Sequence, residues 1–160
     1  EVSKYPSIIQ NFKEDAFNGL SQANHLLTKY KRLILLDKKK KQPKQLLEGF
    51  QLFCDKHNYD NAVVDTIENL DIFKGDVFII PDDRNLIKVI KKIQEKQFKL
   101  ANDIGIISYN DTLLKEIVEG GITTISTDFN KMGETLAKMI MNKESLQVHN
   151  PSKLIIRKSL

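Results

Sequence analysis

Residues 76–129 read DVFIIPDDRNLIKVIKKIQEKQFKLANDIGIISYNDTLLKEIVEGGITTISTDF. Asp76-Val77-Phe78-Ile79-Ile80 is a short apolar run, and Pro81-Asp82-Asp83-Arg84 breaks it. Leu86, Ile87, Ile90 and Ile93 then recur at helical spacing. Ile104-Gly105-Ile106-Ile107-Ser108 is a second run, broken by Tyr109-Asn110-Asp111, and Gly121-Ile122-Thr123-Thr124-Ile125 is a third, broken by Ser126-Thr127-Asp128-Phe129. The stretch predicts strand, corner, helix, repeated. Each polar cluster follows a strand, where the ligand crevice of an open parallel sheet lies.

The same alternation extends outward. Residues 1–11 read as a connector. Asp15–Tyr30 predicts a helix with Leu20, Ala23, Leu26 and Leu27 as its stripe, and Leu33–Leu36 a buried strand. Pro43 opens a helix reaching about His57 that buries Leu46, Leu47, Phe50, Phe53 and Cys54. Asn58-Tyr59-Asp60-Asn61 is a turn cluster, followed by a short strand, Ala62–Val64. Residues 66–75 suggest one irregular helical turn. Phe129–Lys143 predicts a helix with Met132, Leu136, Met139 and Ile140 inward. His149–Ser152 reads as a turn and Leu154–Ile156 as a last strand. Strands alternating with helices imply an α/β fold with a mainly parallel sheet flanked by helices.

A chain of 160 residues is one domain or one lobe. The net charge of +4 permits an anionic partner without requiring one. The basic residues gather only in Lys29-Tyr30-Lys31-Arg32, where a helix end accounts for them, and in Lys38–Lys41. The single cysteine, Cys54, excludes an intrachain disulfide, and a cytoplasmic location with no membrane contact is expected. The chain lacks an initiator Met, so it is expected to be processed or cut from something longer. Phosphate-binding glycine loops and a nucleophile elbow are absent. His25, His57 and His149 have no zinc spacing. These absences favour a binding module over an enzyme, with no cofactor.

Several motifs stand in a fixed order. Ile104–Asp111 matches an "ISVVGYDD" type of strand and corner. Ile122–Phe129, with Met132-Gly133, matches "LTTI-x-x-D". Asp82-Asp83-Arg84 lies where "Asn-Asp-Gln" is expected, Glu48-Gly49-Phe50 matches a "GF" helix, and Leu154–Leu160 resembles a terminal "L-x-x-R-x-S" strand. On these residues the chain resembles the effector-sensing region of LacI/GalR-type transcription regulators, which have the periplasmic-binding-protein type I fold. Its last third is also similar to Bacteroidetes regulators that join this sensor to a GntR-type winged helix. The resemblance implies that residues 16–124 form the C-terminal lobe of that fold, that the 129–143 helix belongs to an N-terminal lobe missing from this chain, and that 153–160 return. The DNA-binding domain is expected to lie outside the chain, and the 129–143 helix to self-associate or be displaced.

By the same resemblance Asp82, Asn110 and Phe129 stand where effector is touched, and Asp83, Arg84, Tyr109 and Asp111 complete the candidate effector site. Carboxylates and amides at strand ends can grip hydroxyls, and an aromatic ring can cover a sugar face. Each acidic corner could equally cap the helix that follows. Two positions depart from the pattern: Leu46 stands where an Arg is usual, and Asn110 where an Asp is usual. Lys38–Lys41 follow a strand end and could reach a sugar phosphate, or form a solvated loop. The implied function is ligand sensing and dimerisation in a transcription regulator. Its expected partners are a sugar or sugar-phosphate effector, operator DNA through another domain, and a second copy in a homodimer. The alternative is a solute-binding protein serving a transporter or receptor.

Overall fold

Apolar runs without alternation suit strands covered on both faces, and in the computed structural model of the chain those runs form the centre of a parallel sheet. The structure describes residues 5–37 and 42–160; Lys38–Lys41 lie outside the described residues. In chain order the elements are β1 (Ser7–Ile9), α1 (Phe12–Leu27), β2 (Arg32–Leu36), α2 (Lys44–His57), β3 (Asp60–Val64), β4 (Asp76–Ile80), α3 (Asp83–Glu95), β5 (Gly105–Tyr109), α4 (Leu113–Ile117), β6 (Thr123–Thr127), α5 (Phe129–Met141), β7 (Gln147–His149) and β8 (Ser152–Ile155). The main sheet has the order β3-β2-β4-β5-β6-β8. All its pairings are parallel except β6 with β8. β1 and β7 form a separate parallel pair.

Strand alternation divides the core. Leu33, Leu35, Val77, Ile79 and Ile107 face one layer with Leu20, Leu27, Phe50 and Phe53 of α1 and α2. Ile34, Leu36, Phe78, Ile80 and Ile106 face the other with Leu86, Val89, Ile90 and Ile93 of α3. Gly49 permits the close approach of α1 and α2, since a Cβ there would stand 2.3 Å from the Lys13 carbonyl oxygen. Cys54 is fully buried in this layer, and burial pushes its thiol up to about 12.

Several boundaries differ from the sequence reading. The third central strand is Thr123–Thr127, not 121–125. Gly120 and Gly121 have positive φ (76° and 114°), and Ser126 and Thr127 extend the strand by pairing with Lys153 and Ser152. α1 starts at Phe12 because Asn11 caps it, accepting from the Glu14 amide at 3.3 Å. The helix ends before Tyr30, whose hydroxyl instead donates to the Ala101 carbonyl at 2.7 Å. β3 begins at Asp60, and Asn58 alone makes the left-handed turn (φ 55°) that closes α2. Residues 66–75 hold no helix, though Ile67 and Ile72 are buried. Ser7–Ile9 form a strand rather than a connector, and His149 ends the strand Gln147–His149 rather than opening the turn, because the two strands pair with each other. On α3, Val89 takes the inward place and Ile87 is exposed.

The largest correction concerns α5. Of Met132, Leu136, Met139 and Ile140, Met139 is buried and Ile140 is 61% exposed. The helix packs on β1. The two-stranded β1–β7 sheet is too narrow to cover its stripe.

Candidate functional site

β2, β4, β5 and β6 end at one edge of the sheet. Chain order runs outward to β3 on one side of β2 and to β5 and β6 on the other side of β4. This reversal is the topological switch where open α/β sheets bind ligands. A small cleft with about 50 Å3 of free space lies at that edge. That volume is well below the roughly 300–1,000 Å3 usual for small-molecule sites.

Its wall is assembled from many elements. Phe12 and Asp15 come from α1, Gln42, Pro43 and Leu46 from the start of α2, Pro81 follows β4, Tyr109 and Asn110 end β5, and Ile125 and Thr127 belong to β6. Gln10 and Ser152 come from the segments leading to and from the small sheet. The lining is mixed: apolar side chains together with three amides, three hydroxyls and the Asp15 carboxylate.

Asn110 is held in a left-handed conformation (φ 56°), which Asn tolerates better than most residues. Its amide donates to the Ile125 carbonyl at 2.9 Å. Lys115, almost fully buried, fixes the same corner. Its ammonium donates to the Tyr109 and Asn110 carbonyl oxygens at 2.6 and 2.8 Å and pairs with Asp83 at 2.9 Å. A buried ammonium requires such a full set of partners. One side chain therefore ties the corner after β5 to the corner after β4. No periodicity in the sequence singles it out.

The sequence-derived residues occupy different places. Tyr109 and Asn110 line the cleft. Asp82 caps α3, accepting from the Asn85 backbone amide at 2.9 Å and from its side-chain amide at 2.8 Å. Asp83 is engaged by Lys115, and Arg84 is exposed on α3. Asp111 accepts two bonds from the Arg157 guanidinium, at 2.6 and 2.8 Å, and a third from Thr124. Arg157 holds its carboxyl below the ordinary carboxylate value. Phe129, half-exposed, lies with Asp111, Asp128 and Lys153 on a neighbouring groove. The helix caps at these corners are Asp82, Thr112 and Asp128.

The sequence reading missed Gln10, Phe12, Asp15, Ile125, Thr127 and Ser152. Asp15 left a signal: with Gly19 and Ala23 it continues the buried face of α1 at a spacing of four. Asp15 is 8% exposed, and its Oδ1 accepts from the Ser152 amide at 3.2 Å. Burial raises its carboxyl above the ordinary value.

Three segments join the small sheet and α5 to the main sheet, and they are bonded together beside the cleft. The Gln10 side-chain amide donates to the Thr127 hydroxyl at 2.5 Å. Asn150, buried, donates from its backbone to the Ile9 carbonyl at 3.0 Å and from its side chain to the Asp128 carbonyl at 3.3 Å.

Comparison with known proteins places these features in context. The periplasmic binding protein-like domain model matches residues 24–160. The HTH-type transcriptional regulator KdgR of Bacillus subtilis (strain 168) is 30% identical over 81 residues, covering 47% of this chain and 24% of that protein. The dimeric Lac repressor with an 11-residue C-terminal deletion superposes with a TM-score of 0.77 at 17% identity, covering 96% of this chain and 63% of that one. The transcriptional regulator CelR–cellobiose complex superposes with a TM-score of 0.73 at 10% identity, covering 98% and 54%. At these identities the structural likeness is one of fold. The chain spans about a quarter of KdgR and less than two thirds of each structure.

Proposed function

Because this chain belongs to the periplasmic binding protein-like domain family, we propose that it is the ligand-sensing and dimerisation part of a transcription regulator of the LacI type, responding to a sugar or sugar derivative. The observation that carries the reading is the cleft at the strand-order reversal, whose lining combines amides and hydroxyls with apolar side chains. Amides and hydroxyls pair with ligand hydroxyls, and Phe12, Leu46 and Ile125 suit the apolar face of a ring. The regulators among its relatives support this reading over a solute-binding one.

Residues 16–124 form one lobe of the sensor in this reading, and α5 with β1 and β7 belongs to the second. Operator DNA is bound by a further domain of the whole protein, which works in the cytoplasm. Ligand binding shifts the population toward a closed arrangement of the lobes, and the three bonded crossing segments transmit the change. Asp82 supports the site by fixing the start of α3, and Phe129 by standing where the crossing segment enters α5.

A thermal-shift panel of monosaccharides and disaccharides on the full-length protein tests the cleft. A ligand that binds only the folded state at about 100 times its Kd adds about 2.7 kcal/mol of stability. Asn110→Gly removes the amide while keeping the left-handed backbone accessible. The variant is expected to keep its unliganded melting temperature within a few degrees and to lose about tenfold in affinity for any sugar that binds. Unchanged affinity would remove Asn110 from the site.

Dimerisation is supported by α4, whose Leu113 and Ile117 are 82% and 75% exposed next to Leu114. Adjacent apolar side chains this exposed mark an interaction surface. Ile117→Glu in the full-length protein is expected to halve the mass seen by sedimentation equilibrium. A dimer that persists would place the interface elsewhere.

A further inference from the structure

A single buried side chain, Lys115, lies between the exposed face of α4 and the cleft corner. It stands two positions from both Leu113 and Ile117, so it points to the side of the helix opposite them. Its ammonium donates to the Tyr109 and Asn110 carbonyl oxygens at 2.6 and 2.8 Å and pairs with Asp83 at 2.9 Å. These three acceptors match the three hydrogens of an ammonium. Lys115 is 2% exposed, so a broken bond leaves a polar atom buried with no water to replace its partner. The backbone of Lys115 is fixed as well. Its amide donates to the Thr112 hydroxyl at 3.3 Å, and its carbonyl accepts from the Ile122 amide at 2.7 Å.

We propose that Lys115 is a positioning residue through which association of a second copy at α4 orders the ligand corner at Tyr109 and Asn110. The inference rests on the readings of α4 as the dimer surface and of the cleft as the ligand site. A helix of five residues is too short to hold its own shape. With Leu113 and Ile117 exposed, α4 in the single chain is held from its inner side. A second copy seated on those side chains clamps it from outside and removes its freedom to tilt. Any tilt of α4 displaces the Lys115 ammonium. The three short bonds pass that displacement to the backbone of Asn110, held left-handed at φ 56°, and to Asp83 in the first turn of α3. The Asn110 side chain follows its backbone, so clamping α4 narrows the directions in which its amide meets a ligand. Ordering a site before the ligand arrives raises affinity without a new contact. Dimerisation and ligand binding are then linked, each favouring the other.

Amide hydrogen exchange on the full-length protein tests this, read by mass spectrometry on peptides spanning 83–88 and 109–112, with β2 and β4 as the reference for global stability. In the Ile117→Glu monomer both peptides are expected to exchange at least threefold faster than in the unmodified dimer, with β2 and β4 unchanged. Lys115→Met keeps the length of the side chain but donates no hydrogen bond. It is expected to remain a dimer and to exchange at 109–112 as fast as the monomer. Asp83→Asn alters a half-exposed partner and keeps the test open if Lys115→Met fails to fold. In that dimer 83–88 is expected to lose its slow exchange while 109–112 keeps it. An Ile117→Glu monomer with unchanged exchange at both peptides overturns the inference and leaves the dimer reading intact. So does a Lys115→Met dimer that stays slow at 109–112, or an Asp83→Asn dimer that stays slow at 83–88. An Ile117→Glu protein that remains a dimer overturns both. No ligand enters the measurement, so failure of the sugar panel and failure of this inference are separate results.

Discussion

Phe78→Ala is expected to lower the unfolding free energy by roughly 3–5 kcal/mol, the range for truncating a buried aromatic ring. Phe78 is fully buried at the centre of β4, the third strand from one edge of the sheet and the fourth from the other. Its register partners are Ile34 on β2 and Ile106 on β5, and its ring packs into the layer beneath Leu86, Val89 and Ile90 of α3. Strands on both sides are pinned by parallel hydrogen bonds, so the backbone cannot collapse into the space left behind. The cost therefore includes a cavity as well as lost burial. Against a usual total stability of about 5–15 kcal/mol, the loss is large. A urea titration is expected to show the midpoint falling by roughly 2 M with unchanged slope, for a slope of about 2 kcal/mol/M. A shift below about 0.5 M would mean that the α3 layer repacks, and would refute the rigid-layer account.

Arg157→Ala is expected to cost roughly 3 kcal/mol, because it leaves a largely buried carboxylate without its partner. The pair is well shielded: the side chains of Arg157 and Asp111 are 15% and 25% exposed. The guanidinium makes two bonds to Asp111 and a third to the Ile122 carbonyl at 3.0 Å. Its stem passes Gly121, where a Cβ would stand 2.8 Å from Arg157 Cδ and the backbone has φ +114°. Ser159 continues the attachment, donating to the Ile106 carbonyl at 2.7 Å and accepting from the Thr123 amide at 2.8 Å. The last residues thus fasten β5 to β6 immediately below the cleft corner.

This pair also sets a pH dependence. Arg157 lowers the Asp111 carboxyl in the folded state. A depressed folded pKa contributes stability above the unfolded value, about 3.9, and loses it as pH falls through the folded value. Asp111→Asn should therefore be less stable than the unmodified protein at pH 7. The gap should narrow below about pH 4, where the unfolded carboxyl is already protonated. A gap independent of pH would show that Asp111 acts through shape rather than charge.

Much of the fold was legible because period and composition are local. The runs at 33–36, 76–80 and 104–108 lack alternation, and a strand without alternation must be covered on both faces. The mainly parallel sheet and its flanking helices follow from that. Cys54 could be placed inside from its neighbours Phe50 and Phe53 on one helical face. Turn chemistry was less decisive, because Gly120, Gly121 and Asn58 mark bends without saying which neighbouring residues find a strand partner. Ser126 and Thr127 became strand because Ser152 and Lys153, more than 20 residues later, pair with them. The same holds for Ser7–Ile9 and Gln147–His149, which carry little strand signal and exist through each other.

The site divides in the same way. Sequence by itself determined that polar corners follow each central strand, and the motif order pointed to Tyr109 and Asn110, which line the cleft. The tertiary structure alone decided which corner side chains are free to meet a ligand. Asp82, Asp83 and Asp111 carry equal charge and similar spacing, yet an N-terminal helix amide, the Lys115 ammonium and the Arg157 guanidinium already occupy them. Asp15, which the sequence presents as one more polar residue of a helix, ends on the cleft wall because the third crossing segment brings Ser152 against it from 137 positions away. Hydrophobic period is written between near neighbours and survives any change of partner. The partner of a charge is chosen by whichever segments the fold brings together, and that choice exists only once the chain has closed on itself.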